Sequence, residues 1–454
     1  MGRALLYRAF APTWRVGRWY ERRFTPTGRV FAGTFLVALL FSIDREQSLA
    51  LALAAFTGTA LAVAWLATLR LRPDIEIHRS LPERLTDGTP AHYEVTLHNR
   101  GRRWQRGLGF REIPAPSLPD LATFDTFRSA DDRLRPWFDR VVGFPRWLEM
   151  VRLRQGTTTP AARLPDLPPG ASITVRATLT PLRRGRLVID GCELLAPDPL
   201  GLCIGRQRLS MPAASLVLPR RIAVPAIELR AHRQYQRGGV TLARSVGDSS
   251  EFIGLRDYRP GDSRRHIQWR AWARLGYPVV REYQDEYYDR HLVVLDGDEA
   301  PGGFRQFETM VAAAASLVVR RQPADALLDL VVNLDAPTLL TSGRGIAASA
   351  PLLDALASVQ PRPDQAGALR RFLAQTVPHI GSVIVVTGQL DGEGAELARS
   401  VVRQRVACCL LHVPADGAAG GAGEAPCRVV TLPAESFAAG APASAAQGAE
   451  EVFA

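Results

Sequence analysis

Any chemistry in this 454-residue chain proceeds without lysine, because all 56 basic side chains are arginine. A Schiff-base lysine, the lysine of a phosphate loop and a kinase-type lysine are therefore missing, and a P-loop ATPase is excluded. Five cysteines (Cys192, Cys203, Cys408, Cys409 and Cys427) lack CxxC spacing, and only His412 stands close to any of them. One such pair is too few ligands for a zinc knuckle, so the cysteines read as reduced thiols in a reducing compartment. The eight histidines form no HExxH cluster. No GxSxG elbow, Cys/His pair or close carboxylate pair rises above chance. Asp257, Asp262 and His266 offer acid–base groups, but no nucleophile accompanies them, and the chain reads as a non-enzyme.

The densest run of chemistry-bearing residues is 247–274, which interleaves arginine and tryptophan with a Pro260-Gly261 turn. Asp262 or Ser263 is placed to cap a helix after that turn. On such a helix Ile267, Ala271 and Arg274 share a face, and Trp269 pairs with Trp272 at i,i+3. Residues 256–281 hold seven arginines and two aspartates, with Glu282, Asp285, Glu286 and Asp289 directly after. Two readings stand. Arg265 and Arg274 could form internal salt bridges, with Asp257, Asp262 and Glu282 as candidate partners. Alternatively the segment is an exposed bipolar surface that docks a protein, since arginine and tryptophan often dominate interfaces. Residues 244–290 net only +1, which argues against nucleic acid.

The overall charge of +11 is concentrated at the start, where residues 1–29 hold seven arginines and one carboxylate, Glu21. Behind this basic arm (1–27) two apolar runs, Val30–Ile43 and Ser48–Leu69, flank Asp44-Arg45-Glu46-Gln47. The second run has the length of a membrane span; the first spans only if it begins near Thr25. A two-helix transmembrane hairpin over 28–70 is expected, with both termini cytoplasmic by the positive-inside rule. Residues 71–220 alternate with period two between turn signals, as in an antiparallel immunoglobulin-like β-sandwich. A helical insertion at about 111–160 interrupts it. Within that insertion 131–153 interleaves Trp137 and Trp147 with arginines, which suits helix covering the sandwich end or helix lying in the membrane interface. After the linking segment 221–290, residues 291–415 alternate strand and helix as a mostly parallel α/β domain. An Ala/Gly-rich tail, 416–454, is expected to be partly disordered.

The run 247–274 resembles the core signature of the bacterial family called domain of unknown function 58. The matching positions are Leu255, Arg256, Tyr258, Gly261, Asp262, Arg265, Ile267, Trp269, Ala273 and Arg274. The resemblance extends upstream to Arg183-Arg184-Gly185-Arg186 and Asp198-Pro199-Leu200-Gly201, and to the hairpin before them. It implies a C-terminal von Willebrand factor A-like (Rossmann-like) domain. It also implies a membrane scaffold or adaptor that works with a MoxR-type AAA+ ATPase, often beside a transglutaminase-like membrane protein, with the lipid bilayer as anchor and the signature residues as partner-binding sites. In von Willebrand factor A domains a DxSxS loop, a threonine and a later aspartate hold a divalent cation such as magnesium. Here the loop reads Asp296-Gly297-Asp298-Glu299-Ala300, and Thr387-Gly388 stands where Thr-Asp is expected. Asp296 and Asp298 are the remaining candidate metal ligands, and a metal-dependent binding module is the alternative function. Asp296 otherwise caps its own loop.

Overall fold

The computed structural model describes residues 2–42, 48–70, 73–115, 118–127, 135–225, 227, 251–262, 264, 267–284, 289–297, 303–320, 326–342, 349–361, 366–377, 380–415 and 425–432. Most of the tail and the residues 228–250 lie outside them. Most of the basic arm read from the sequence forms a helix, α1 (Gly2–Arg23). Its aromatic spacing explains the helix. Tyr7, Phe10, Ala11 and Trp14 recur on one face and pack into a cluster around Trp147 and Phe124.

Helix α2 (Pro26–Phe41) starts where a first span would have to start: Thr25 is its N-cap and accepts from the Gly28 N–H at 3.0 Å. At 16 residues it is about 24 Å long, short of a bilayer core. Helix α3 (Ser48–Arg70) runs back beside it, with Phe35 against Gly58. Leu49–Arg70 is long and apolar enough to cross a membrane. Leu36, Leu40, Leu51, Phe56, Val63 and Leu66 on this pair are exposed, a contiguous apolar surface that water alone would not leave uncovered.

Two sheets packed face to face follow. One has the order β1 (Ile75–Ser80), β3 (Ala91–Asn99), β7 (Ser172–Pro181), β5 (Thr157–Thr158); the other has β2 (Arg84–Thr86), β9 (Ile204–Leu218), β8 (Gly185–Pro197), β4 (Gly109–Pro114), β6 (Ala162–Arg163). Alternate residues such as Val95, Leu97, Leu179, Ile189 and Val217 fill the space between them. Arg79 of β1 crosses to Glu112 of β4, which also accepts from Tyr93 at 2.9 Å. The insertion contributes α4 (Leu121–Thr126), α5 (Trp137–Val142) and α6 (Phe144–Gln155). Trp147 is buried among Phe10, Trp14, Phe124 and Phe144, so α6 packs on α1, which neither sequence reading of 131–153 foresaw. Trp137 stays exposed.

Between the sandwich and the last domain stands a separate two-stranded hairpin, β10 (Glu251–Asp257) and β11 (Val279–Gln284), enclosing α7 (Trp269–Leu275). The last domain has strands β12 (Asp289–Leu295), β13 (Ala326–Asn333), β14 (Pro337–Ser342), β15 (Ser382–Thr387), β16 (Ala407–His412) and β17 (Arg428–Thr431). Their order is β14-β13-β12-β15-β16-β17, all parallel but β14, which pairs antiparallel with β13. Strand order therefore reverses between β12 and β15, as in doubly wound sheets. Helices α8 (Gly303–Val319) and α9 (Ala350–Ser358) cover one face; α10 (Ala366–Thr376) and α11 (Glu393–Arg403) cover the other.

Two short loops fasten these parts together. Arg184, buried at the β7–β8 turn, donates to the carbonyls of Leu356 (3.0 Å) and Val359 (2.6 Å) and pairs with Glu308 of α8. At the other end Asp198 ties its own loop through the N–H groups of Leu200 (2.6 Å) and Cys203. That loop meets the start of α2: Thr25 Oγ1 donates to Gly201 O at 2.6 Å, and a Cβ on Gly28 would land inside the Leu202 carbonyl.

Candidate docking surface

The hairpin β10–β11 presents most of the signature residues, and its loop is held by one carboxylate. Arg256, near the end of β10, donates twice to Asp262, Nη1 to Oδ2 and Nη2 to Oδ1, both at 2.8 Å. Asp262 Oδ2 also accepts from the Arg259 N–H at 2.9 Å, closing a turn in which Gly261 takes φ +109°, open to glycine and strained for other residues. These bonds hold the Asp262 carboxyl down at about 2, with the Arg256 hydrogen bonds the largest cause. Tyr258 is half-buried, and its N–H donates to Pro278 O at 3.0 Å.

The expected helix cap is therefore corrected. Asp262 is captured by Arg256, and the helix begins seven residues later, at Trp269. The chain between stays tied to β11, because Ile267 bridges Val280 and the Gln268 N–H donates to Val279 O at 2.9 Å. Ile267 consequently does not share a helix face with Ala271 and Arg274. Asp262 is also not the partner of Arg274; among the described residues Arg274 forms no ion pair, and Arg265 and His266 lie outside them.

Gln268 Oε1 accepts from Arg281 Nε at 2.9 Å, and Gly276 ends α7 with φ +78° and an N–H bond to Trp272 O. On this short helix Trp269 and Trp272 stack, ring centroids 5.2 Å apart and 19° between planes. Trp269 is 63% exposed. Leu255, Leu275 and Tyr277 are exposed close to it in sequence, as are Arg270, Ala273 and Arg274. A tryptophan left in water on a half-buried second one, with exposed Arg270 and Arg274 on the same short helix, has the composition of an interface centre.

The second candidate position lies where the strand order of the α/β sheet reverses. Asp296, just past β12, is buried and accepts from Thr387 Oγ1 at 2.8 Å. Thr387 also accepts from the Gln389 N–H at 3.2 Å, and Gly394 of α11 packs so closely that a Cβ would stand 2.9 Å from Asp296 Oδ2. Beside them Gln306 of α8 donates to Gly388 O (2.8 Å) and Val413 O (2.6 Å). Among the described residues no group of three or more His, Cys, Asp or Glu could hold a metal ion, and Asp298 lies outside them. Asp296 Oδ2 is thus engaged by Thr387 within the protein. The geometry makes Asp296 a clamp between β12, β15 and α11. Thr387 was recognisable in the sequence; Gln306, Arg184 and Glu308 were not singled out for a role.

Residues 254–417 match the model of a family described as protein of unknown function DUF58. The DUF58 match rests on that span, about a third of the chain. The DUF58 region starts within β10 and ends after β16, so it contains the hairpin, α7 and most of the α/β domain. Arg184 and Asp198, whose loops fasten the DUF58 region and the helices to the sandwich, stand upstream of it. No curated protein matches the chain. Solved structures match only locally. The CARDB domain of the PF1109 protein from Pyrococcus furiosus is 12% identical, covers 30% of this chain and 92% of its own, and has a TM-score of 0.16. A PapD-like domain of human CEP192 is 11% identical, with 32% and 86% coverage and a TM-score of 0.17. Neither bears on what this chain does.

Proposed function

We propose that the chain is a non-enzymatic, membrane-anchored adaptor that docks a MoxR-type AAA+ ATPase through the β10–α7–β11 hairpin and serves the assembly or maturation of a protein complex. The observation that carries this reading is Trp269, exposed and stacked on the half-buried Trp272, on a hairpin whose loop is locked by Asp262. A chain without lysine has no phosphate loop of its own, so ATP-driven work requires a partner that has one. On the same reading α2 and α3 form a two-span hairpin in the cytoplasmic membrane, with the termini and folded domains in the cytoplasm. The sandwich is immunoglobulin-like. The α/β domain is of von Willebrand factor A type; its strand order and antiparallel β14 support this. A transglutaminase-like membrane protein is a further candidate component.

Co-purification from detergent extracts tests the docking. The ATPase is expected to accompany the wild-type chain and to be lost with Trp269→Ala or Arg274→Glu. Both side chains are exposed, so the fold should survive. Retention of the ATPase by both variants would place its contact elsewhere.

A further inference from the structure

A cleft separate from the docking surface lies between α1 and the second sheet of the sandwich. It encloses about 290 Å³, and its walls include Arg15, Arg18, Trp19 and Arg22 of α1 with Arg206 and Arg208 of β9. Of the nearby carboxylates, Glu21 of α1 offsets part of the Arg18 charge, and two on the sheet are already engaged. Glu193 accepts from Arg206 Nε at 3.0 Å and stands 3.6 Å from Arg111, and Asp190 lies 3.5 Å from Arg208. Arg18 donates to the neutral Gln155 Oε1 at 3.4 Å and lies over the Trp14 ring at 4.9 Å. Among the described residues Arg15 and Arg22 make no hydrogen bond or ion pair. Burial, with Arg18 beside it, pushes Arg22 down to about 10, which is what a cation short of counter-charge does.

The cleft also has a defined depth. Trp19, in its wall, lies 5.9 Å from Trp65 of α3, and the next helical turn of α1 puts Arg23 over the Trp65 ring at 4.1 Å and on Thr68 at 3.1 Å. Helix α3 ends at Arg70. The cleft thus sits level with the end of the apolar span, where tryptophan marks the boundary between hydrocarbon and headgroups.

We propose that this cleft binds the phosphate of an anionic phospholipid headgroup, with Arg15, Arg18 and Arg22 as donors. Guanidinium forks match phosphate oxygens in pairs, and one phosphodiester supplies the charge that the protein's own carboxylates leave uncompensated. The site rests on the membrane reading of α3.

Native mass spectrometry of the full chain in detergent, with phosphatidylglycerol and phosphatidylcholine added at equal concentration, tests it. The wild type should retain phosphatidylglycerol in preference, and the preference should fall about fivefold for each arginine removed in Arg15→Gln and Arg15→Gln/Arg22→Gln. Arg102→Gln/Arg103→Gln, on an exposed loop, should leave it unchanged. Preference that survives the double cleft variant, or no preference in the wild type, overturns the proposal. So does saturation of the wild type by soluble glycerol phosphate without lipid preference, which would give the cleft to a free phosphate ester. Carbonate extraction separates the two readings: release of the chain from membranes sinks the membrane anchor whatever the lipid ratio shows.

Discussion

Asp262 decides the shape of the signature turn, because one carboxylate takes three hydrogen bonds from Arg256 and Arg259. Its carboxyl is depressed to about 2 from the ordinary 3.8. A depressed acid contributes stability that is present above the unfolded value and lost as pH falls through the folded one. The turn is therefore expected to hold unchanged from pH 8 to pH 4 and to open only near pH 2. Carbon-detected NMR titration of the Asp262 carboxyl checks this. Asp262→Asn, which keeps the size and loses the charge, should weaken partner binding without changing the melt of the α/β domain. Gly394 makes a second residue-scale case. A Cβ there would collide with Thr387 and stand 2.9 Å from Asp296 Oδ2, so Gly394→Ala should cost about 1–3 kcal/mol, read as a lowered thermal midpoint. Neither constraint was legible in the sequence, because Arg256 competes for Asp262 only once β10 has folded, and Gly394 meets Asp296 only across the sheet.

At the scale of elements, Arg184 is one of the contacts between sandwich and α/β domain, beside Arg84, which pairs with Asp354 of α9 at 2.7 Å. Removal of Arg184 would leave Glu308 without its ion-pair partner and the Leu356 and Val359 carbonyls without a donor. Arg184→Ala is expected to cost about 3–5 kcal/mol at pH 7. Burial pushes Glu308 up, with Arg184 opposing it. A raised acid contributes stability that is present below its ordinary value and lost as pH rises through the folded one. The cost of the variant should therefore shrink toward pH 4, and urea midpoints of wild type and variant at pH 4 and pH 7 measure the difference. Strands β13, β15 and β16 coincide with the apolar runs that announced them, since strands buried on both faces need unbroken hydrophobic sequence. Strand β14 was missed because Pro337, Thr338, Thr341 and Ser342 suit an edge and carry no such run. Helix α1 was missed because its arginines dominated the composition, although Tyr7, Phe10 and Trp14 already carried the helical period.

For the whole molecule, the two loops at Arg184 and Asp198 connect three parts in series: apolar helices, sandwich and α/β domain. The proposed topology predicts that a green fluorescent protein fused after Ala454 fluoresces and that alkaline phosphatase fused there is inactive; the opposite pattern would put the folded domains across the membrane. The docking claim itself is tested most directly by the affinity of the purified, detergent-solubilised chain for a purified MoxR-type ATPase. Trp269→Ala/Arg274→Glu should weaken it by 2 kcal/mol or more, about thirtyfold, at an unchanged melting temperature. Equal affinity of variant and wild type would contradict the assignment of this surface.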